Sequence, residues 1–291
     1  MNYILYHKGS LPNHLKHCIN SILSSDSNSV IHLITDQKSS WKNIKVQNTK
    51  EFTELEFLNN FEKHLEHKGL GSNPLWITSL ERIFYIYSYI EKLKITKFVH
   101  FDNDVVLYRP FFDIENNFQN INKGIHITPL NSWNLVFGYS FINSAVKYRA
   151  MTTTVKQILE DFKTYEYNFN MQKPLNEMRT LSIVKTLNPG LIIDLPILPY
   201  GGKDFVFDPA SYGQYLGGTH TSPKRFYREN YITQTHIVGK ELLSKRVSVN
   251  FNGGNPYVKS ELGDKSKLVN LHIHSKELQK FLPSNYKNYI K

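Results

Sequence analysis

Two carboxylates one residue apart, Asp102 and Asp104, lie between an apolar run, Phe98-Val99-His100-Phe101, and a second one, Val105-Val106-Leu107. Acids at i and i+2 on a turn can face a single ion, directly or through water. Hard divalent cations such as Mg2+ and Mn2+ prefer carboxylate oxygens. The chemistry that needs such a pair is that of diphosphates, whose oxygens must be held and whose charge must be absorbed. An acidic turn that merely ends a strand has the same composition, so placement carries the weight. In open α/β sheets, ligands bind beyond the carboxyl ends of the strands. Asp102 and Asp36 both lie at such ends.

The elements that must position these acids follow from hydrophobic spacing. Tyr3 to His7 reads as a short strand. Asn13 to Leu23 reads as a helix, with Leu15, Cys18, Ile19, Ile22 and Leu23 at intervals of three and four. Val30 to Thr35 is a buried strand, Ile44 to Val46 a third, and a helix through Phe57 and Phe61 follows. Ser79 to Leu93 carries one apolar stripe, Leu80, Ile83, Phe84, Tyr87, Ile90 and Leu93, and is the strongest helix. Lys97 to Phe101 is the strand before the acids. Strands separated by helices imply a parallel sheet covered on both faces.

In the second half, Gly124 to Thr128, Val136 to Ile142 and Leu191 to Leu198 read as strands. Ala145 to Phe162 and Pro174 to Leu187 read as helices, the latter with proline where its missing N–H costs nothing. Residues 199–260 read as loops around short elements. Leu268 to His272 is a last strand, and Lys276 to Phe281 begins a terminal helix.

With 291 residues, 40% of them hydrophobic, the chain can bury a real core, and no repeat or linker divides it. Mean hydropathy is -0.41. One cysteine, Cys18, excludes an internal disulfide and fits a reducing compartment. The first residues have no signal-peptide layout, and no apolar stretch approaches the ~18 residues that cross a bilayer. The expectation is a soluble, cytoplasmic protein. The net charge of +10 suits ordinary solubility, or attraction to a nucleotide diphosphate, an acidic polymer or a membrane face. Its lysines form no basic stripe with interleaved aromatics, so nucleic acid is not an expected partner.

The stretch Ser79–Leu107, with Glu81-Arg82 on the helix and Phe98–Val106 across the strand and acids, resembles the core of GT-A glycosyltransferases, in particular the glycogenin-like and galactosyltransferase-like branch. The resemblance covers residues 1–145 well and the last 25 loosely. It implies one GT-A domain over 1–291, a Rossmann-like central mixed sheet flanked by helices. Residues 1–110 would be the nucleotide-sugar-binding half, and 111–291 the acceptor-binding half with a C-terminal closing segment. It further implies that Asp104 holds Mn2+ or Mg2+, that Asp102 meets the donor's ribose or the same ion, and that Arg82, His7, Asp36 and Asn103 lie against a nucleotide-sugar donor, UDP-sugar by default. Leu268–Lys276 is similar to the family's late His-x-Gly-x-x-Lys element, although no glycine follows and the spacing is shorter. That likeness implies a third metal ligand, His274 or His272 with His274 preferred, and Lys276 on the diphosphate. Imidazole suits Mn2+ better than Mg2+.

The acceptor hydroxyl must lose a proton. In inverting GT-A enzymes a carboxylate base often opens a helix in the second half, and Glu177 matches that place. A glutamate is equally at home in any first helical turn. The glycogenin-like likeness implies retention, which needs no such base. Asp204 and Asp208 bracket Phe205-Val206-Phe207 as candidate acceptor-pocket residues, and Trp76 and Trp133 as candidate stacking surfaces, although aromatics are more often core. Gly138–Asn143 resembles the strand under the donor sugar. Asp208–Gly218 resembles GT-A-like proteins without offering chemistry of its own. Two other functions fit the acids less well. One is a haloacid-dehalogenase-type phosphohydrolase, whose Asp-x-Asp motif usually opens the chain and needs a later acidic pair. The other is a catalytically silent carbohydrate-binding protein on the same fold.

Overall fold

The computed structural model describes residues 1–39, 41–58, 74–115, 124–169, 175–219 and 235–290. In chain order the elements are β1 (Asn2–His7), α1 (Asn13–Ser25), β2 (Val30–Thr35), β3 (Ile44–Asn48), α2 (Pro74–Leu93), β4 (Phe98–Phe101), β5 (Val105–Leu107), α3 (Phe111–Glu115), β6 (Ile125–Asn131), β7 (Asn134–Ile142), α4 (Ala145–Glu160), α5 (Phe162–Asn168) and α6 (Glu177–Leu187). There follow β8 (Ile192–Asp194), β9 (Phe205–Val206), α7 (Tyr212–Gly217), α8 (Ile237–Leu243), β10 (Val247–Asn252), β11 (Asn255–Ser260), β12 (Lys265–Leu268) and β13 (Asn270–His272).

Among the described residues the main sheet has seven strands, in the order β3-β2-β1-β4-β7-β6-β8. β1 pairs parallel with β2 and β4, β2 with β3, and β6 with β8, while β7 runs antiparallel to both β4 and β6. The expected central mixed sheet flanked by helices is therefore present. Its order reverses between β1 and β4, the switch point where open α/β sheets leave a crevice. Both faces are covered. Tyr3, Leu5, Val99 and Phe101 pack on α1 and the C-terminal segment; Ile4, Tyr6 and Phe98 pack on the other face with α2, α4 and α6. That double burial is why these strands read as continuous apolar runs. Deleting the buried ring of Phe101 would cost about 3–5 kcal/mol.

Local sequence sets the helix starts near the site. Asn176 caps α6 by accepting the Arg179 N–H at 2.9 Å, and Ser144 caps α4 through the Lys147 N–H at 3.3 Å. Three expectations are corrected. The strand over 191–198 is only β8, three residues long. The helix from Ala145 to Phe162 breaks at Asp161 and resumes as α5. The terminal helix is a single 3-10 turn, Leu278–Phe281. The loops of 199–260 include a hairpin, β10–β11, turning at Gly253-Gly254 with φ of 54° and 79°, a conformation glycine adopts without strain. Phe61 and Pro174 lie outside the described residues. Among those described, no helix is long and apolar enough to cross a membrane.

Candidate functional site: an acidic cluster at the sheet switch point

β4 ends at Phe101, and the chain turns at once through Asp102, Asn103 and Asp104 into β5. The turn is pinned by main-chain bonds. Asp102 N–H donates to the Gly138 carbonyl on β7 at 3.1 Å, and Val105 N–H to the Asp102 carbonyl at 3.2 Å. β5 then pairs antiparallel with β13, setting His272 opposite Val105. The C-terminal strand thus delivers an imidazole to the acids from a position 170 residues away in sequence. Ile273 N–H donates to the Asp104 carbonyl at 2.8 Å and closes the junction.

His272 Nε2 lies 2.9 Å from Asp104 Oδ1 and 3.6 Å from Asp102 Oδ2. One ligand atom each from Asp102, Asp104 and His272 falls within 4.8 Å of the others. Lys276 is ion-paired with the second oxygen of Asp104. Asp104 is almost fully buried. Burial opposes its charge, yet His272 and Lys276 outweigh burial and hold its carboxyl well below the usual carboxylate range. Asp102 is paired with the Arg82 guanidinium, which reaches over from α2. The other Arg82 terminal nitrogen meets Glu177 Oε2 at 2.6 Å, and Glu177 Oε1 accepts the Phe137 N–H at 3.3 Å. Burial raises the Glu177 pKa, and the Arg82 charge opposes that rise.

The donor set, two carboxylates and one imidazole, suits a divalent cation such as Mn2+. The backbone leaves room for it: a Cβ on Gly138 would stand 2.8 Å from Asp102 Oδ2 and 2.8 Å from His272 Cε1. His272 Nδ1 is buried and has no hydrogen-bond partner among the described residues. Asp102, Asp104 and His272 would hold the ion, with Lys276 and Arg82 as flanking cations.

The expected residues fall out as follows. Asn103 bridges two histidines: its amide N–H donates to His7 Nδ1 at 2.7 Å, and its oxygen lies 3.2 Å from His14 Nε2. The far nitrogen of His7 lies 2.8 Å from the Ser10 carbonyl. Asp36 accepts the Gly9 N–H at 2.9 Å, which, with the Gln37 amide, lowers its pKa despite some burial. Glu81 anchors this corner by accepting from Tyr6 at 3.2 Å and Lys8 at 3.1 Å. His7, Asp36, Asn103, Arg82 and the acids therefore share one end of the sheet. His274, the preferred third ligand, is outside the three-residue cluster. Its ring stands 4.7 Å from that of His272, and its Nδ1 faces the Gln214 amide at 3.3 Å. The reason is register: β13 commits His272 to the face of Val105, and the chain turns away at Ile273.

Asp208 has a different place from the acceptor pocket expected of it. It is buried and accepts four main-chain N–H bonds, from Ser211 at 2.7 Å, Tyr212 and Gly213 at 2.8 Å, and His272 at 2.9 Å. Burial raises its pKa while these bonds oppose the rise. It staples α7 to the strand carrying His272. Gly213 is required there, because a Cβ would lie 2.1 Å from the His272 carbonyl oxygen. Asp204 is exposed; Trp76 is half-buried on α2, and Trp133 is exposed. No sequence pattern flagged Asp208 or Gly138 as neighbours of the acids.

No family model matches the chain, and no curated protein matches it in sequence. Among solved structures it is similar to the galactosyltransferase LgtC in complex with donor and acceptor sugar analogs, at 13% identity and a TM-score of 0.45, covering 81% of this chain and 85% of that one. It is similar to mouse xyloside xylosyltransferase 1 in its apo form, at 9% identity and a TM-score of 0.43, covering 71% and 88%. It is also similar to the PaToxG glycosyltransferase, at 9% identity and a TM-score of 0.41, covering 65% and 70%. All three are glycosyltransferases.

Proposed function

We propose that this protein is a metal-dependent glycosyltransferase of the GT-A type that moves a sugar from a nucleotide diphosphate donor, UDP-sugar, to a hydroxyl on a glycan. One observation carries the reading: two carboxylates and an imidazole converge at the switch point of a mixed α/β sheet, flanked by Lys276 and Arg82. A divalent cation bound there supplies Lewis-acid stabilisation of the departing diphosphate. Lys276, on the C-terminal segment, supplies a second positive charge to the same oxygens. Arg82, held between Asp102 and Glu177, fixes the Asp102 carboxylate in place. His7, Gly9 and Asp36 form the rim where the nucleoside would lie, at the carboxyl ends of β1 and β2.

The phosphohydrolase reading needs Asp102 as a free nucleophile. Here one of its oxygens is committed to Arg82, and the third member of the cluster is a histidine. The discriminating experiment is incubation with Mn2+ and a panel of nucleotide sugars. Slow donor hydrolysis that releases the nucleoside diphosphate, absent in Asp104→Ala, is the expected result. Phosphate release from phosphomonoesters with no donor turnover would overturn the assignment. Sugar binding without turnover of any donor would point to the silent carbohydrate-binding protein.

A further inference from the structure

The sheet carries a groove further along β7 and α6 from the acidic cluster. An open groove of about 680 Å³ lies between the β6–β7 hairpin, α6, β8 and the start of α8. β7 runs antiparallel to β4, so its first residues project past the end at which Asp102 sits. Leu135, on the groove wall, is three residues along β7 from Gly138, which adjoins Asp102 Oδ2. β7 departs from regular pairing between Val136 and Ser140, so at about 3.4 Å per residue the two places are at most about 10 Å apart along the strand, on the scale of one or two sugar rings. α6 joins the two places from the other side: Glu177 opens it at Arg82, and Ser182 and Thr186 line the groove further along.

We infer that this groove is the acceptor subsite and that it takes a neutral oligosaccharide, with Trp133 as its stacking platform. The inference rests on the glycosyltransferase reading above. Its chemistry is that of sugar recognition: Asn131, Ser182 and Thr186 present amide and hydroxyl groups, and Leu135 and Pro189 present apolar surface. His236 adds a buried Nδ1 with no hydrogen-bond partner among the described residues. The strongest observation is Trp133, which is 63% exposed where a core role would bury it. It sits in the turn between Ser132 and Leu135, two groove residues. The Arg179 guanidinium lies 5.1 Å from its ring centroid and also donates to its carbonyl at 3.3 Å. Arg179 thus braces one face of the indole and leaves a rigid aromatic surface at the groove mouth, suited to the C–H face of a pyranose. Within the groove Lys185 is neutralised by both oxygens of Asp194 at 2.6 Å. That pairing cancels one of the two lysine charges on the lining and leaves Lys240, so the hydroxyl and amide groups outnumber the charged ones.

The test uses the full chain and an immobilised panel of glucose, galactose and N-acetylglucosamine oligosaccharides, with glucuronic acid oligosaccharides as the acidic arm. Trp133→Ala removes the platform at the surface without touching the core, and Ser182→Trp fills the groove. Binding of at least one neutral oligosaccharide by the wild type, weakened about tenfold in each variant, is expected. Affinity for UDP with Mn2+ should stay within about twofold in both, because neither residue touches the acids. No oligosaccharide bound, a preference for the acidic arm, or equal affinity in Trp133→Ala overturns the inference. A wild type that binds neutral oligosaccharide through Trp133 but no nucleotide would instead remove the transferase reading and leave the groove as a sugar-binding site alone.

Discussion

Lys276 is ion-paired with one oxygen of Asp104 while His272 Nε2 lies 2.9 Å from the other, so the C-terminal segment claims both sides of a single buried carboxylate. Lys276 does this from a left-handed backbone conformation, φ 64°, in the turn whose N–H donates to the Ile273 carbonyl. Such a conformation costs a non-glycine residue on the order of 1–3 kcal/mol, and it recurs where function holds the chain.

Under the proposed function a metal ion and the Lys276 ammonium compete for Asp104, and a diphosphate offers the ammonium another partner. Lys276→Met should therefore bind Mn2+ alone several-fold more tightly, consistent with about 1 kcal/mol for a half-exposed pair. It should bind UDP about tenfold more weakly, on the scale of a lost charge-assisted hydrogen bond. Because coupling is reciprocal, UDP should then promote Mn2+ binding less than in the wild type. Calorimetric titration of Mn2+ with and without UDP measures both terms. Unchanged Mn2+ affinity in the variant would rule out the competition.

Gly138 gives the most local test of the cluster. A methyl there would stand 2.8 Å from Asp102 Oδ2 and 2.8 Å from His272 Cε1, so one of the two must move. Gly138→Ala should weaken Mn2+ binding by about 10–100-fold, as displaced support of a metal site does. Thermal stability should fall by only about 1–3 kcal/mol. Normal Mn2+ affinity in a folded Gly138→Ala protein would show that the ion is held elsewhere.

The main sheet and the acid pair were legible because their signals are local. Strands buried on both faces read as apolar runs, α2 carries an unbroken stripe, and the acids follow the strand they terminate. What escaped is non-local. Nothing in Asp208-Pro209-Ala210-Ser211 announces that its carboxylate will hold the His272 N–H as well as the first N–H groups of α7, because that bond closes only when β13 pairs with β5. The choice between His272 and His274 turned on the same pairing. Two histidines at i and i+2 are equivalent until a register separates them. The β10–β11 hairpin was obscured for another reason: its strands carry polar residues such as Ser248, Asn250 and Lys259, leaving the Gly253-Gly254 turn as the only strong cue.

Glu177 separates positioning from base catalysis. Both of its oxygens are engaged, one by Arg82 and one by the Phe137 N–H, in a nearly closed environment. Glu177→Gln should cost about 3 kcal/mol in stability, the low end for breaking a buried pair, since Arg82 keeps Asp102. It should lower turnover about tenfold through a loosened Asp102 and leave the product anomer unchanged. Denaturation, turnover and the anomeric NMR signal of the product read the three effects. A 10²–10⁴-fold loss with unchanged stability and UDP affinity would make it the general base instead.

His32 on β2 should contribute a measurable part of the acid sensitivity. It is buried between Tyr89 and Asn2, at 2.8 Å and 3.0 Å, and burial, with a smaller contribution from Lys45, lowers its pKa to about 4. The ordinary value of about 6.5 holds in the unfolded chain, so between the two the unfolded state binds more protons. Stability then rises with pH across this window and is lost as pH falls from 6.5 towards 4, by up to about 3 kcal/mol. Urea denaturation at pH 7 and pH 5 should show a drop that is smaller by about 2 kcal/mol in His32→Gln. Parallel curves for the two proteins would place the acid sensitivity in other groups.

The identity of the third ligand is the sharpest question the site poses. His272 is fixed by its register opposite Val105, its N–H held by Asp208, and its ring against both acids. His274 lies past the end of β13, its Nδ1 faces Gln214, and it is outside the three-residue cluster. His272→Ala should therefore weaken Mn2+ by at least about a hundredfold, the upper range for losing even an indirect support of a metal. His274→Ala should change it by less than about threefold, an energy within the range of ordinary surface substitutions. Asp208→Asn supplies the control. It leaves all three ligand side chains in place but cannot accept four N–H bonds, since its amide nitrogen is a donor. It should weaken Mn2+ by about 10–100-fold while lowering stability. Electron paramagnetic resonance of bound Mn2+ across the three variants gives the order directly. If His274→Ala lost the ion and His272→Ala kept it, the β13 register could not be the one that builds the site.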